Sequence, residues 1–581
     1  MDTFHTNKAR NVVQQAWPYL LLPLTFLAAR YWLSGQFGLY EDDFAHLPWA
    51  AAMSLDEVLA FAFNPSRIIN LFGQGHPLHY TFIYLLTNIA WRLGELPGLY
   101  WVGFFIQAIN ICLFYVLIRR IHSNALGVVS GMVFALYSAD TTQAYLTFSF
   151  GLQTSITLLL LACHAYLFDK RWLAYGFAAL TLLTYETAFG VFIAFPLMII
   201  QPRRKTLREL VYHAIIMGAI LAVMIAWRIM AGDDRVGVLG VRESISLPIT
   251  HMLQGPIVSL GTFLYRPLQA FKVLDLGIAV AVLAGFLVWT AVLVLMNLET
   301  PSSLRSDISH LFKIVRVRIE GGNRLKLALH SLPREIADLF RLAFAGLLML
   351  ILAYPLTFTV RAFAITGRDT RVHAGGVIGA AVMIGALLLM LLWIAEIYRF
   401  KVWAALLIGV WIGSLAGFGI ILQREYGVAW DNQQVFWSSM EAFIPDLEED
   451  TIVLVDPAGL SDTQHIDSNT WQLPAILEVV YKFPDTWAQF PRAHRLLEDW
   501  RERSLWNSRE IKAIDFKWEY VVSPWENVIL LETEDGRVVN RVETITIDGV
   551  EYAIKPFDGG FPVAYTEGFI YKDLILSEYR K

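Results

Sequence analysis

Three carboxylates follow one another at the start of a short polar segment. Residues 38–46 read Gly-Leu-Tyr-Glu-Asp-Asp-Phe-Ala-His, which places Glu41, Asp42 and Asp43 just after the first apolar run. Carboxylates at a membrane boundary can take a proton from a hydroxyl or bind a divalent cation through oxygen. All three are therefore catalytic candidates, and Asp42 and Asp43 are candidate ligands for Mg²⁺ or Mn²⁺. The alternative is a hydrated acidic turn at the end of a helix.

Three histidines and one isolated glutamate are candidates for substrate binding. His46 closes the acidic segment, and His76 and His79 lie near the end of the same loop. Histidine can bind phosphate or transfer protons. Glu186 interrupts an otherwise apolar stretch, where a carboxylate is costly unless it faces a wet cavity or a partner. The alternatives are ordinary interfacial histidines and a turn between two short helices.

Basic side chains crowd a second short polar segment, and one more arginine lies in a separate polar stretch. Arginine can donate paired hydrogen bonds to a phosphate at a membrane surface. The alternative is that these side chains reach lipid headgroups or pair with acidic loops. The candidates are Arg266, Arg361, Arg368, Arg371 and His373.

Composition predicts the elements that position these side chains. Of the 581 residues, 56% are hydrophobic and only 17% are charged, against roughly 25% charged in soluble proteins. Many apolar runs approach the ~20 residues that a helix needs to cross a bilayer, where the backbone must be helical. No basic block indicates nucleic-acid binding. We expect about eleven transmembrane helices, over residues 13–37, 98–118, 124–143, 151–168, 172–185, 187–201, 211–231, 276–297, 340–360, 374–397 and 402–422.

The distribution of Lys and Arg predicts the sidedness of these helices, since short loops rich in them stay in the cytoplasm. An odd number of spans then places the N-terminus inside and the C-terminus outside. Residues 38–97 become the first extracytoplasmic loop, with a helix over 77–91 on the membrane surface. Residues 231–271 become another outer loop, and residues 298–340 become a basic cytoplasmic loop.

A change of pattern divides the chain into a transmembrane domain, residues 1–422, and a soluble domain, residues 423–581. In the soluble part, residues 451–455 have the pattern of a buried strand, and residues 470–481 that of a helix. Residues 492–503 are predicted to form a charged amphipathic helix.

Short alternating strands follow, over residues 520–522, 528–532, 538–547 and 551–554. Turn sequences at 534–536 and 548–549 are typical of hairpins. The soluble domain is therefore predicted to be α/β or α+β. His465 and Asp467 are predicted to lie in a solvated loop.

Taken in order, these features resemble the GT-C superfamily of membrane glycosyltransferases, which includes protein O-mannosyltransferases and aminoarabinose transferases of lipid A. In that family an outer loop after the first helix carries an acidic pair, as at residues 41–43. A His-Pro-Leu segment with a surface helix follows, here residues 76–78, and the next helix ends in paired basic residues, here residues 119–120. A later pair of short helices often carries Lys-Glu or Lys-Pro. This chain has Tyr-Glu at residues 185–186 and lacks the lysine.

The resemblance implies a GT-C-like helical fold in the plasma (inner) membrane with an extracytoplasmic C-terminal domain. It implies an enzyme of the cell envelope that moves a hexose or pentose, with inversion, from a polyprenyl-phosphate donor to a lipid, glycan or protein acceptor. Asp42 or Asp43 would be the general base, and outer arginines or histidines would stabilise the phosphate.

Two other hypotheses fit the same sequence. A transporter or lipid flippase would use the same cavity, although the hydrophobic segments show no two-fold repeat. A non-catalytic assembly protein would bind an envelope partner through its soluble domain.

Overall fold

The structure is a computed structural model in which a helical bundle is followed by a smaller part that contains strands. The residues described are 16–69, 75–199, 204–231, 241–298, 300, 333–357, 362–455, 463–467, 473–496, 505–506, 509–514, 520–547, 549–556 and 565–580.

The helices of the bundle, in chain order, are α1 (Pro18–Arg30), α2 (Asp43–Ala52), α3 (Leu55–Ala62), α4 (Pro65–Ile69), α5 (Pro77–Ile121), α6 (Asn124–Ala135), α7 (Gln153–Leu167), α8 (Arg171–Thr184), α9 (Val191–Ala194), α10 (Pro196–Ile199), α11 (Arg204–Met230), α12 (Val241–Lys272), α13 (Leu276–Leu295), α14 (Arg334–Leu352), α15 (Val377–Ile397) and α16 (Lys401–Glu441). A π-helical turn, Phe148–Leu152, leads into α7, and 3₁₀ helices occupy Ser34–Gln36, Glu186–Ala188 and Arg368–Gly376.

Membrane embedding is supported by the length and hydropathy of these helices. Several predicted spans are nevertheless short, since α1, α6 and α8 have 13, 12 and 14 residues, and the predicted count of about eleven is not confirmed. Within the described residues, six helical segments are long and apolar enough to cross a membrane: Pro77–Ile121, Phe148–Leu167, Leu207–Met230, Leu276–Leu295, Arg368–Ile397 and Lys401–Glu441.

The predicted loop over residues 231–271 is wrong, because most of this segment forms the 32-residue helix α12. Pro248, Pro256 and Pro267 lie inside the helix, and their presence makes the sequence unlike that of a regular transmembrane helix. Each proline removes one backbone hydrogen bond. Packing of α12 against α14 and α16 holds the helix together despite these prolines.

Helix α5 is broken near its middle, where Gly94 and Glu95 have non-helical backbone angles. The break falls between the predicted surface helix over 77–91 and the predicted span over 98–118. Glu95 has a φ of 53°, which a residue with a side chain adopts only when its surroundings require it.

The C-terminal part is built on a mixed four-stranded sheet with the order β3-β1-β7-β8. Strand β1 pairs in parallel with β3 and β7, and β7 pairs antiparallel with β8. The strands are β1 (Ile452–Val455), β2 (Tyr481–Lys482), β3 (Arg492–Arg495), β4 (Leu505–Trp506), β5 (Glu510–Ile514), β6 (Tyr520–Pro524), β7 (Val528–Glu534), β8 (Arg537–Val542), β9 (Thr544–Ile547), β10 (Val550–Ala553) and β11 (Thr566–Glu567), and two short helices are α17 (Leu473–Val480) and α18 (Tyr571–Leu574).

The strand at 451–455 and the helix within 470–481 are confirmed as β1 and α17. The predicted helix over 492–503 is wrong at its start, because residues 492–495 form β3. Pairing with β1 decides the structure there, and Arg492 is buried against Glu478 with 3.2 Å between Nη2 and Oε2. The helical pattern of charges did not anticipate this tertiary contact.

The bundle and the sheet share one hydrophobic core. Helix α16 runs without interruption past residue 422, and its last turns lie among residues of the C-terminal part. Phe44 of α2 and Ile476 of α17 belong to the same buried cluster. The C-terminal part therefore packs directly onto the first loop.

Candidate functional site

The acidic segment is held in place by α16. The Tyr40 hydroxyl donates to the Tyr426 carbonyl at 2.7 Å, and the Gln433 side-chain amide donates to the Leu39 carbonyl at 3.1 Å. The next residue, Glu41, is buried and has a φ of 46°, in the left-handed region. Such backbone strain persists only where the surrounding structure fixes it. The carboxylates that follow are therefore rigidly placed.

Asp43 is fully buried and faces backbone amides. Its oxygens accept from the N–H groups of Tyr40 at 3.3 Å, Leu146 at 3.3 Å and Thr147 at 2.8 Å. Burial raises the pKa of Asp43 to about 7, although the three N–H groups favour its ionised form. This side chain joins the first loop to the segment before α7.

Asp42 is different, because it is partly exposed and contacts residues 362–373, which we call the arginine-rich segment. Arg368 Nη2 donates to Asp42 Oδ2 at 2.9 Å, and Arg368 Nη1 lies 3.8 Å from Glu41 Oε2. About one fifth of the Asp42 and Arg368 side chains is exposed. The structure thus brings the two segments that the sequence marked as candidates into direct contact.

Arg371 lies one turn further along the same 3₁₀ helix. Its guanidinium carbon lies 5.1 Å from the centre of the Phe148 ring, in cation–π geometry. Within the described part of the chain, the Arg371 side chain makes no hydrogen bond or ion pair. Its donors are therefore available to an anionic ligand.

A second charged cluster consists of His76, Glu186 and Arg228. His76 Nε2 contacts Glu186 Oε2, and Arg228 Nη2 lies 3.5 Å from the same oxygen. All three side chains are less than 10% exposed. The cluster joins the start of α5, the 3₁₀ helix after α8 and the end of α11. A buried charge set of this kind is costly to break.

Aromatic rings connect the two clusters. The Tyr185 ring stacks on His76 with centroids 5.3 Å apart, and it lies 5.6 Å from the ring of His79. The His79 ring also packs edge-on against the Tyr80 ring, with centroids 5.3 Å apart. His46 packs edge-on against Tyr80 at 4.9 Å. The first loop, the histidines and Glu186 therefore form one continuous polar site.

Two other candidates, His373 and Arg266, stabilise the backbone of the arginine-rich segment. His373 uses both ring nitrogens, since Nδ1 lies 2.8 Å from the Tyr354 hydroxyl and Nε2 lies 2.8 Å from the Ala364 carbonyl. Arg266 is almost fully buried and donates to the carbonyl of Ile365. Both residues fix the backbone rather than face a ligand. Arg361 lies outside the described residues.

The carboxylates do not present a set of ligands for a divalent cation. Asp43 directs its oxygens at three amides, and Asp42 is paired with Arg368. Among the residues that the structure describes, no three His, Cys, Asp or Glu side chains lie close enough to hold an ion. Dependence on a metal stays a prediction that chelation can test.

Two residues of the site were not identified from the sequence. Arg228 and Tyr185 complete the cluster around Glu186. A basic residue near the outer end of a predicted span, as Arg228 is, could have indicated its partner. The predicted solvated loop at His465 is wrong, because this side chain is only 1% exposed and pairs with Glu425 of α16. No local pattern indicates that contact.

The comparisons with known proteins add no family to this description. No protein-family model matches the chain, and a comparison with curated proteins likewise finds no match. The resemblance to membrane glycosyltransferases therefore rests on the order of the sequence motifs.

Proposed function

We propose that this protein is a membrane glycosyltransferase that moves a sugar from a polyprenyl-phosphate donor to a hydroxyl-bearing acceptor. The contact between Asp42 and Arg368 is the observation that carries the proposal. It joins a partly exposed carboxylate to a segment that also presents Arg371 without an ionic partner. This contact supports an arrangement in which a base lies beside an anion-binding group.

Asp42, rather than Asp43, is the proposed general base. Its carboxylate takes the proton of the acceptor hydroxyl, and the hydroxyl oxygen uses its electron pair to attack the anomeric carbon. The bond between that carbon and the phosphate oxygen breaks, and polyprenyl phosphate leaves with that electron pair. Attack opposite to the leaving group inverts the anomeric centre. Asp43 is assigned the structural role that its three amide contacts support.

The basic side chains are proposed to stabilise the leaving phosphate. Arg371 has free donors, and Arg368 can share its donors between Asp42 and a phosphate oxygen. Preorganised donors of this kind stabilise charge that develops in the transition state. The polyprenyl chain would lie among apolar helices. The cluster of His76, Glu186 and Arg228 would stabilise the helices that form the site.

The site is proposed to lie on the extracytoplasmic face of the plasma (inner) membrane. Contacts of Arg368 with Asp42 and with Asp467 support a common side for the first loop, the arginine-rich segment and the C-terminal part. The N-terminus would then be cytoplasmic, as the distribution of basic loops predicts.

The test is a transfer assay in proteoliposomes. Polyprenyl phosphates carrying labelled hexoses or pentoses are supplied together with an extract of envelope acceptors. We expect label to leave the lipid for an acceptor, and Asp42→Asn to lower the rate about 10²- to 10⁴-fold, the range of general-base catalysis. Asp56→Asn, an exposed position in the same loop, is the matched control and should keep full activity.

One outcome would favour another hypothesis, and a second would remove the assignment of Asp42 as the base. Labelled lipid that crosses the bilayer with its sugar still attached indicates a flippase. Full transfer by Asp42→Asn, with the variant folded and inserted, removes the base assignment. Addition of a chelator to the same assay tests the dependence on a divalent cation.

A further inference from the structure

A short segment of the C-terminal part, residues 463–467, packs against the helical bundle, with His465 and Ile466 buried. Glu425 of α16 accepts from the His465 backbone N–H and pairs with His465 Nδ1, both at 2.7 Å. The Thr463 hydroxyl donates to the same carboxylate at 3.1 Å. One carboxylate of the bundle therefore anchors this segment, which we name the latch.

The far end of the latch reaches the arginine-rich segment. Asp467 Oδ2 accepts from the backbone N–H of Arg368 at 2.7 Å, and the His465 carbonyl accepts from the N–H of Gly367 at 2.9 Å. Arg368 begins the 3₁₀ helix that carries Arg371. A carboxylate at this position satisfies an N–H that the helix itself leaves unpaired and interacts favourably with the helix dipole.

Gly367 allows this contact. Its φ of 68° lies in the left-handed region, and a Cβ atom there would come within 2.4 Å of the Asp467 carboxylate. Any larger residue would push the carboxylate away from the Arg368 N–H. The arginine-rich segment is thus shaped to receive Asp467.

Tyr145 of the bundle holds the backbone of Asp467 by hydrogen bonds. The buried Tyr145 hydroxyl donates to the Asp467 carbonyl and accepts from the Asp467 N–H, each at 3.1 Å. The Tyr145 ring stacks on Tyr40, which directly precedes the acidic residues of the first loop. The latch therefore contacts the arginine-rich segment directly and the acidic segment through Tyr145.

We propose that Asp467 is a positioning residue for Arg368, and that the C-terminal part is a component of the site. Asp467 holds the backbone of Arg368, and the Arg368 side chain in turn holds Asp42. Movement of the C-terminal part away from the bundle would release this chain of contacts. The effect on catalysis rests on the proposed function, whereas the effect on the backbone does not.

The test compares Asp467→Ala with wild type in the full-length protein by two measurements. Hydrogen exchange of residues 362–376 should become at least ~10-fold faster, because the Arg368 N–H loses its acceptor. In the transfer assay, kcat should fall about 10- to 100-fold while KM for the donor lipid changes less than threefold. Asp535→Asn, at an exposed hairpin turn of the same domain, is the control and should change neither value.

Two milder variants keep the test decisive where Asp467→Ala does not fold. Asp467→Asn retains an acceptor oxygen and should restore most of the protection from exchange. Tyr145→Phe removes the bridging hydroxyl and should give faster exchange of the same residues. Wild-type exchange in both Asp467→Ala and Tyr145→Phe overturns the proposal, and so does an unchanged kcat in Asp467→Ala. If wild type transfers no sugar, the proposed function fails, and hydrogen exchange alone decides whether the latch holds Arg368.

Discussion

Asp42 and Asp43 are neighbours of identical chemistry, yet the fold gives them different environments. Asp43 turns inward to three backbone N–H groups, whereas Asp42 turns toward Arg368 and keeps part of its surface exposed. Proton transfer needs a carboxylate that an acceptor can reach. The position of the acidic segment could be predicted from the sequence. The different roles of Asp42 and Asp43 could not be predicted, because they depend on contacts with residues more than a hundred positions away.

The buried carboxyl of Asp43 predicts a dependence of stability on pH. Its pKa is raised to about 7 from the usual 3.8, so the folded state keeps this proton over a range in which the unfolded state has lost it. The free energy of unfolding should therefore fall as the pH rises from about 4 to about 7, and this group should add no slope above that range.

Thermal unfolding in detergent between pH 4.5 and 8 measures this slope. Asp43→Asn, which cannot titrate, should show a flatter profile than wild type. Equal slopes in wild type and Asp43→Asn would show that Asp43 is ionised throughout, as its three amide donors alone would favour.

At the scale of elements, the contact of His76, Glu186 and Arg228 ties three helical segments into one unit. The sequence marked Glu186 because a carboxylate within an apolar stretch needs a partner. It did not identify Arg228, which comes from a different helix, α11. Which helices are neighbours is decided by packing of the whole bundle, and a single sequence does not contain that information.

Removing one partner from this cluster should destabilise the protein strongly. Glu186→Gln replaces the carboxylate with a neutral amide, so the buried charge of Arg228 loses its partner. Such a loss costs about 3–5 kcal/mol. The double variant Glu186→Gln/Arg228→Gln should cost less than the sum of the two single variants, because neither unpaired charge remains.

Denaturant unfolding of the purified protein measures this coupling. Glu209→Gln, an exposed position on the same helix as Arg228, serves as the control and should change stability by less than about 0.5 kcal/mol. Strictly additive losses in the double variant would mean that the pair is not coupled.

Helix α12 shows where prediction of elements from local pattern fails. Its three prolines and polar residues separate it from the long apolar runs, so it was expected to be a loop. The bundle supplies what the local sequence lacks, since α12 packs against α14 and α16. Helices with long, continuous apolar runs, such as α13 and α15, were predicted correctly within a few residues.

At the scale of the whole molecule, the transmembrane bundle and the C-terminal part form one packed body. The shared core, the unbroken helix α16 and the latch all join them. Composition correctly indicated two regions of different character. It gave no indication that they meet at the site, because the latch has the polar sequence of an ordinary surface loop.

We propose that Asp42 and Arg371 face one sugar phosphate. A cryo-electron microscopy map of the protein in lipid nanodiscs, with a polyprenyl-phosphonate sugar that cannot be cleaved, tests it most directly. We predict density with the anomeric carbon beside Asp42 and the phosphonate within hydrogen-bond distance of Arg371. Ligand density away from both side chains, or an empty site at saturating analogue, would contradict the account.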